Sequence, residues 1–171
     1  AITVILLICL IALLCGSVFG IFFSSEDAGT GMRMQTAVQE INAEYDAKIE
    51  AVKSSASYDN MEISGGRAVW KDVLAVYAVK TNTDENDPKE VATMDESKKR
   101  ILSDIFWEMN SVSSRTESHS EAEVTETDDG NGNIVQTETT VTRTTLYITV
   151  SHLTVNEMAD RYGFNAQQRE Y

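Results

Sequence analysis

No cysteine follows Cys15 in this chain, and the only other one, Cys9, lies in the same short stretch. A disulfide framework and a thiol nucleophile are therefore excluded from the whole downstream body. Proline occurs once, at Pro88, and histidine twice, at His119 and His152. Neither histidine has an H-E-x-x-H motif, a thiol or a nucleophile elbow near it, so no metal or triad role is read for them. Basic residues are scarce: 14 Lys and Arg stand against 27 Asp and Glu, a net charge of −13. The one basic cluster, Lys98-Lys99-Arg100, reads as a solvated helix face. A chain of this balance cannot neutralise a phosphate backbone, and nucleic acid is excluded as a partner.

What is present begins with an uncharged apolar run from Ile2 to Phe23. At about 1.5 Å per residue it would cover roughly 33 Å as a helix, enough for a bilayer core and too long for a secretory h-region. A membrane anchor over 1–23 is the expectation. The first charges after it are Glu26 and Asp27, with no Lys or Arg until Arg33, so the body is expected on the extracellular side of the cell membrane in a single-pass protein. Gly16 and Gly20 form a G-x-x-x-G spacing through which two such helices could self-associate.

A polar linker over 24–33 leads to a helical body, expected over 34–113. Met34, Val38, Ile41, Tyr45, Ile49 and Val52 recur at intervals of four and three, the stripe of an amphipathic helix of about five turns. After a break at Ser54–Gly66, "RAVWKDVLAVYAVKT" places Val69, Val73 and Val76 beside Trp70, Leu74 and Tyr77. That pattern predicts a buried helix, while its β-branched content leaves a strand open. The loop 82–88 is acidic but lacks the glycine and closing glutamate of a calcium loop. Thr93 and Glu96 form a capping box for a third helix, whose apolar face is Ile101, Leu102, Ile105, Phe106 and Met109 with Trp107.

Composition then shifts to Thr, Val and Glu, and a β-hairpin is expected over 114–151, turning near Gly130 at "DDGNGN". That register puts Arg115 near Leu146 and Glu117 near Thr144. Leu146, Ile148 and Val150 should line one side of the base, with Tyr147 on the other and a polar ribbon beyond. Asp129, Asn131 and Asn133 begin like an EF-hand loop, but Ile134 and Thr140 stand where its glycine and bidentate glutamate belong. A hairpin tip is the better reading. Thr154 and Glu157 make a second capping box, Gly163 suits the C′ position, and Asn165 opens a further helix within a C-terminal piece over 152–171. The chain starts at Ala1 rather than Met and stops inside that helix, so truncation at both ends is expected.

The fold class expected is thus mainly α with a β-hairpin: a single transmembrane helix, a small helical body and a projecting two-stranded ribbon. No catalytic, cofactor-binding or metal-binding residue can be assigned. Glu108 and the Glu117-Ser118 pair, weighed as glycosidase carboxylates, read as surface charges. The order of the apolar anchor, "AVQEINAEYDAKIEAVKSS", "RAVWKDVLAVYAVKT", "MDESKKRILSDIFWEMNSVSSRTE", "DDGNGNIV" and "LYITVSHLTVNEMADRYGFNAQQ" resembles the N-terminal half of membrane-anchored cell-wall hydrolases encoded on conjugative transposons of Gram-positive bacteria. The resemblance covers nearly the whole chain. It implies a downstream Cys-His peptidase domain of the CHAP or NlpC type, absent from this chain, which cuts peptidoglycan peptides, and it implies peptidoglycan and conjugation proteins as partners. The expected function is to position that peptidase; the alternative is a non-enzymatic assembly component of a conjugation apparatus.

Overall fold

The computed structural model describes residues 32–83, 89, 93–128, 130–132 and 134–170. Among these residues, seven elements run in the order α1 (Met34–Lys53), β1 (Asn60–Gly65), α2 (Trp70–Asn82), α3 (Glu96–Met109), β2 (Asn110–Asp128), β3 (Ile134–His152) and α4 (Val155–Arg161). Among the described residues the chain divides into two compact units, one drawn from 32–47, 66–111 and 151–170, the other from 48–65 and 112–150.

The first unit is helical. From α1 it buries Met34, Val38 and Ile41 of the expected stripe together with Ala37, while Tyr45, Ile49 and Val52 are only half-buried. Val73, Leu74, Val76 and Tyr77 come from α2, Leu102, Ile105, Phe106 and Met109 from α3, and Met158 from α4. Within it, α2 packs against both α3 and α4. Aromatic rings gather around Phe106: Trp70 stacks on it at 5.1 Å, while Tyr45 and Trp107 meet it edge-on at 6.0 and 5.3 Å. Both polar atoms of the buried Asn110 amide are engaged, Oδ1 accepting from the Ala68 N–H at 2.7 Å and Nδ2 donating to the Phe106 carbonyl at 2.8 Å. It fixes the entry to α2 against the point where α3 passes directly into β2.

Helix ends follow the sequence in one case and depart from it in the other. Thr154 and Glu157 form the expected capping box, and α4 closes with Gly163 at φ 66°. The Phe164 N–H bonds the Ala159 carbonyl and the Gly163 N–H that of Asp160, the paired bonds of a Schellman motif. At α3, however, Asp95 is the N-cap and accepts from the Lys98 N–H at 2.8 Å. Thr93 instead receives the Lys98 ammonium on its hydroxyl and carbonyl oxygens. Lys98 is consequently buried rather than solvated, because its own hydrogen bonds replace the water it loses.

The second unit is a three-stranded mixed sheet in the order β1-β3-β2. Here the expected mainly α fold with a two-stranded ribbon is corrected. β1 comes from the stretch read as a break, and it pairs parallel with β3, Asn60 opposite Thr145 through Gly65 opposite Val150. Local pattern could not reveal it, since its partner lies more than eighty residues along the chain and only Met61 and Ile63 alternate as a strand should. Gly65 is required at its end: its φ is 81°, and a Cβ there would lie 1.9 Å from the Val150 carbonyl oxygen.

The hairpin register is also shifted by one residue from expectation. Ser118 and Thr144 hydroxyls meet at 2.9 Å, Ser120 and Thr142 at 3.2 Å, and the Arg115 guanidinium lies 4.5 Å from the centre of the Tyr147 ring. Asp128 sets this register by accepting from the Gly130 and Gly132 N–H groups, both glycines having positive φ. The turn thus centres on Asn131 rather than Gly130. Leu146, Ile148 and Val150 are buried and share a face, as expected.

The single-pass membrane placement is not supported. Among the described residues no helix is long and apolar enough to cross a membrane. The longest, α1, carries Glu40, Glu44, Asp46, Lys48, Glu50 and Lys53 along its length. The run 1–23, with Gly16 and Gly20, lies outside the described residues.

Candidate interaction surface

Beyond its base, the β2–β3 hairpin is exposed on both faces. Every described residue from Ser113 to Asp128 and from Ile134 to Thr140 is exposed. Thr, Val and Glu hold this segment extended without a core, through cross-strand contacts rather than burial. Arg143 bridges two glutamates of the facing strand, donating from Nε to Glu121 at 2.9 Å and from Nη2 to Glu123 at 2.7 Å. Those hydrogen bonds, Glu121's first, raise the guanidinium's affinity for its proton further. Arg115 pairs with Glu117, and Gln136 donates to Glu126 at 2.8 Å.

Toward the tip the charge is one-sided. Glu126, Asp128 and Glu138 have no Lys or Arg ion pair among the described residues. Val124, Ile134 and Val135 are exposed beside them. At the other end of this stretch, Asp59 clips the chain onto β3: its N–H donates to the Thr144 carbonyl at 2.8 Å and its Oδ2 accepts from the Thr144 N–H at 2.7 Å.

The residues weighed for chemistry are not brought together. Glu108 lies at the C-terminal end of α3, where its Oε2 accepts from the Tyr162 hydroxyl at 3.1 Å and stands 3.5 Å from Arg161 Nε. Burial, followed by the bond to Glu108, pushes the Tyr162 phenol well above its ordinary range. The Lys80 ammonium sits 3.8 Å from the centre of the same ring. Glu108 therefore ties α4 to α3 rather than facing a cleft. The nearby depression, lined by Val76, Val79, Ala159, Phe164 and Gln168, has a volume of about 50 Å³, room for a water or two and far below a sugar or peptide site.

Glu117, Ser118 and His119 lie exposed on β2. His152 is in the helical unit, its Nδ1 2.7 Å from the Gly66 carbonyl oxygen, so it fastens the approach to α2. Lys99 pairs with Glu40, whose hydrogen bond raises the ammonium pKa. Asp129, Asn133 and residues 84–88 lie outside the described residues, among which no three His, Cys, Asp or Glu side chains are grouped to hold a metal ion. Sequence reasoning missed the Asp59 clip and the Arg143 fork. The alternation of Glu121 and Glu123 on one strand could have signalled the fork once the register was known. Comparison with protein-family models, curated proteins and solved structures gives no match.

Proposed function

We propose that this chain is the positioning region of a mobile-element peptidoglycan hydrolase, holding a downstream Cys-His peptidase domain and presenting the acidic hairpin as a contact surface. The observation that carries the reading is the hairpin itself: two strands of 19 residues each, solvated on both faces over most of their length. Such a ribbon encloses no substrate and displays a long, ordered edge, which suits docking better than bond cleavage. Segment order and wording, similar to the N-terminal half of those hydrolases, supply the biological setting.

The same ribbon favours a second reading, a non-enzymatic assembly component of a conjugation apparatus. One measurement tests both readings and a second separates them. Purified chain incubated with cell walls is expected to release neither reducing sugars nor free amino termini, and the reading frame past Tyr171 is expected to encode a Cys-His peptidase. Lysis by this chain alone overturns both readings, whereas a stop codon after Tyr171 leaves only the second.

A further inference from the structure

Resting on the reading of the hairpin as a contact surface, we propose that the edge of β3 from Gln136 to Thr142 accepts an additional strand, supplied by an extended segment of a partner protein that alternates Lys or Arg with apolar residues. Backbone geometry carries the argument. β1 covers one side of β3 only from Thr145 to Val150, and Asp59 extends that cover to Thr144. The Thr144 N–H and C=O both point to that side, so strand alternation points those of Thr142, Thr140, Glu138 and Gln136 the same way. Among the described residues no strand meets them there, since β2 occupies the opposite side. The four residues form an ordered edge about 20 Å long, continuous with the edge that β1 already occupies.

Side chains along this edge define the occupant. On one face Glu138 and Gln136 adjoin Glu126 of the facing strand, linked by the Gln136–Glu126 hydrogen bond. On the other face lie Val135 and Val141, with Thr137 and Thr139 between them. A strand with basic residues on the first face and apolar residues on the second complements both. A second copy of this ribbon would set Glu138 and Glu126 against their like, which favours a different, basic chain.

The test uses the full chain and a labelled peptide of about nine residues, alternating Lys and Val, that matches the length of the open edge. Binding is measured by fluorescence anisotropy at two salt concentrations, and amide exchange is followed by NMR. Wild type is expected to bind in a salt-sensitive manner, with slowed exchange at Gln136, Glu138, Thr140 and Thr142. Thr140→Pro removes an outward N–H without taking a bond from the hairpin ladder and is expected to weaken binding about tenfold. Glu138→Lys leaves the backbone intact and is expected to weaken it similarly, which keeps the test decisive if the proline variant unfolds. Unchanged exchange at those four amides overturns the proposal, as does binding of the peptide by both variants as tight as that of wild type. Concentration-dependent self-association abolished by Thr140→Pro would also overturn it, assigning the edge to a second copy. Wall lysis by this chain would remove the positioning role while leaving these binding results unaffected.

Discussion

The helical unit and the sheet unit hold their shapes by different means. In the first, four helices converge on a buried cluster in which Phe106 is wholly enclosed and touched by three other aromatic rings. In the second, burial among the described residues is limited to Thr145, Leu146, Ile148 and Val150 at the base of β3, and the outer hairpin is maintained by backbone pairing, threonine contacts and the Arg143 fork. A core tolerates no loss of volume, because the surrounding side chains cannot close the gap. An exposed ribbon loses little from most side-chain changes but depends on its backbone geometry.

Phe106→Ala is the sharpest way to break the first half of this contrast. It deletes the ring on which Trp70 stacks and against which Tyr45 and Trp107 stand. The expected cost is about 3–5 kcal/mol, the range for removing a buried aromatic ring. Urea unfolding followed by tryptophan fluorescence reads it directly, and a loss no greater than that of a surface substitution would show that the aromatic cluster is not the keystone of this unit.

In the sheet the corresponding weak point is a glycine. Gly65→Ala meets two obstacles at once, a positive φ and a Cβ 1.9 Å from the Val150 carbonyl oxygen. The left-handed conformation alone costs an alanine about 1–2 kcal/mol, and the backbone contact must be relieved by moving the end of β1 off β3. Faster amide exchange is expected in β1, with protection of α2 and α3 unchanged. If exchange in β1 stays slow, the ladder accommodates the methyl group and the third strand is less constrained than its geometry implies.

These two sites also mark what could be read from sequence. Helical spacing placed Met34, Val38, Ile41, Leu102, Ile105 and Phe106 correctly, because a 3.6-residue period is a local property with one dominant solution. Val73 and Leu74 likewise lie buried on a helix despite their strand-forming neighbours, since the tertiary site outweighs weak β propensity. β1 escaped because its six residues gain their structure from a parallel partner remote in sequence, which no local window contains. The hairpin was legible and its register was not. Two positive-φ glycines flank the turn, and the Asp128 carboxylate, accepting from both their N–H groups, decides between adjacent registers. No chemical constellation was legible at Glu108 either, and its position explains why: a carboxylate engaged by Tyr162 and Arg161 ties two helices together without leaving a mark in the pattern.

The smallest effect separates the units by pH. Glu157 accepts from the Thr154 N–H at 2.7 Å and from its hydroxyl at 2.8 Å, and these bonds, the backbone one foremost, lower its pKa below the ordinary glutamate value. A carboxylate with a lower pKa in the folded state contributes stability that is fully present above the unfolded glutamate pKa of about 4.3 and is lost as pH falls through the folded value. Glu157→Gln should therefore abolish this part of the acid-side loss. Thr154→Ala, which removes the hydroxyl cap from the α4 start, should cost about 1 kcal/mol at neutral pH. The readout is protection of the α4 amides, measured residue by residue between neutral pH and pH 3. Neither substitution should alter exchange in β2 or β3, because the hairpin's ladder is closed by its own backbone. An acid-induced loosening of those strands that tracks Glu157 would mean that the sheet draws its order from the α4 cap, and the division into a core-stabilised unit and a backbone-stabilised one would fail.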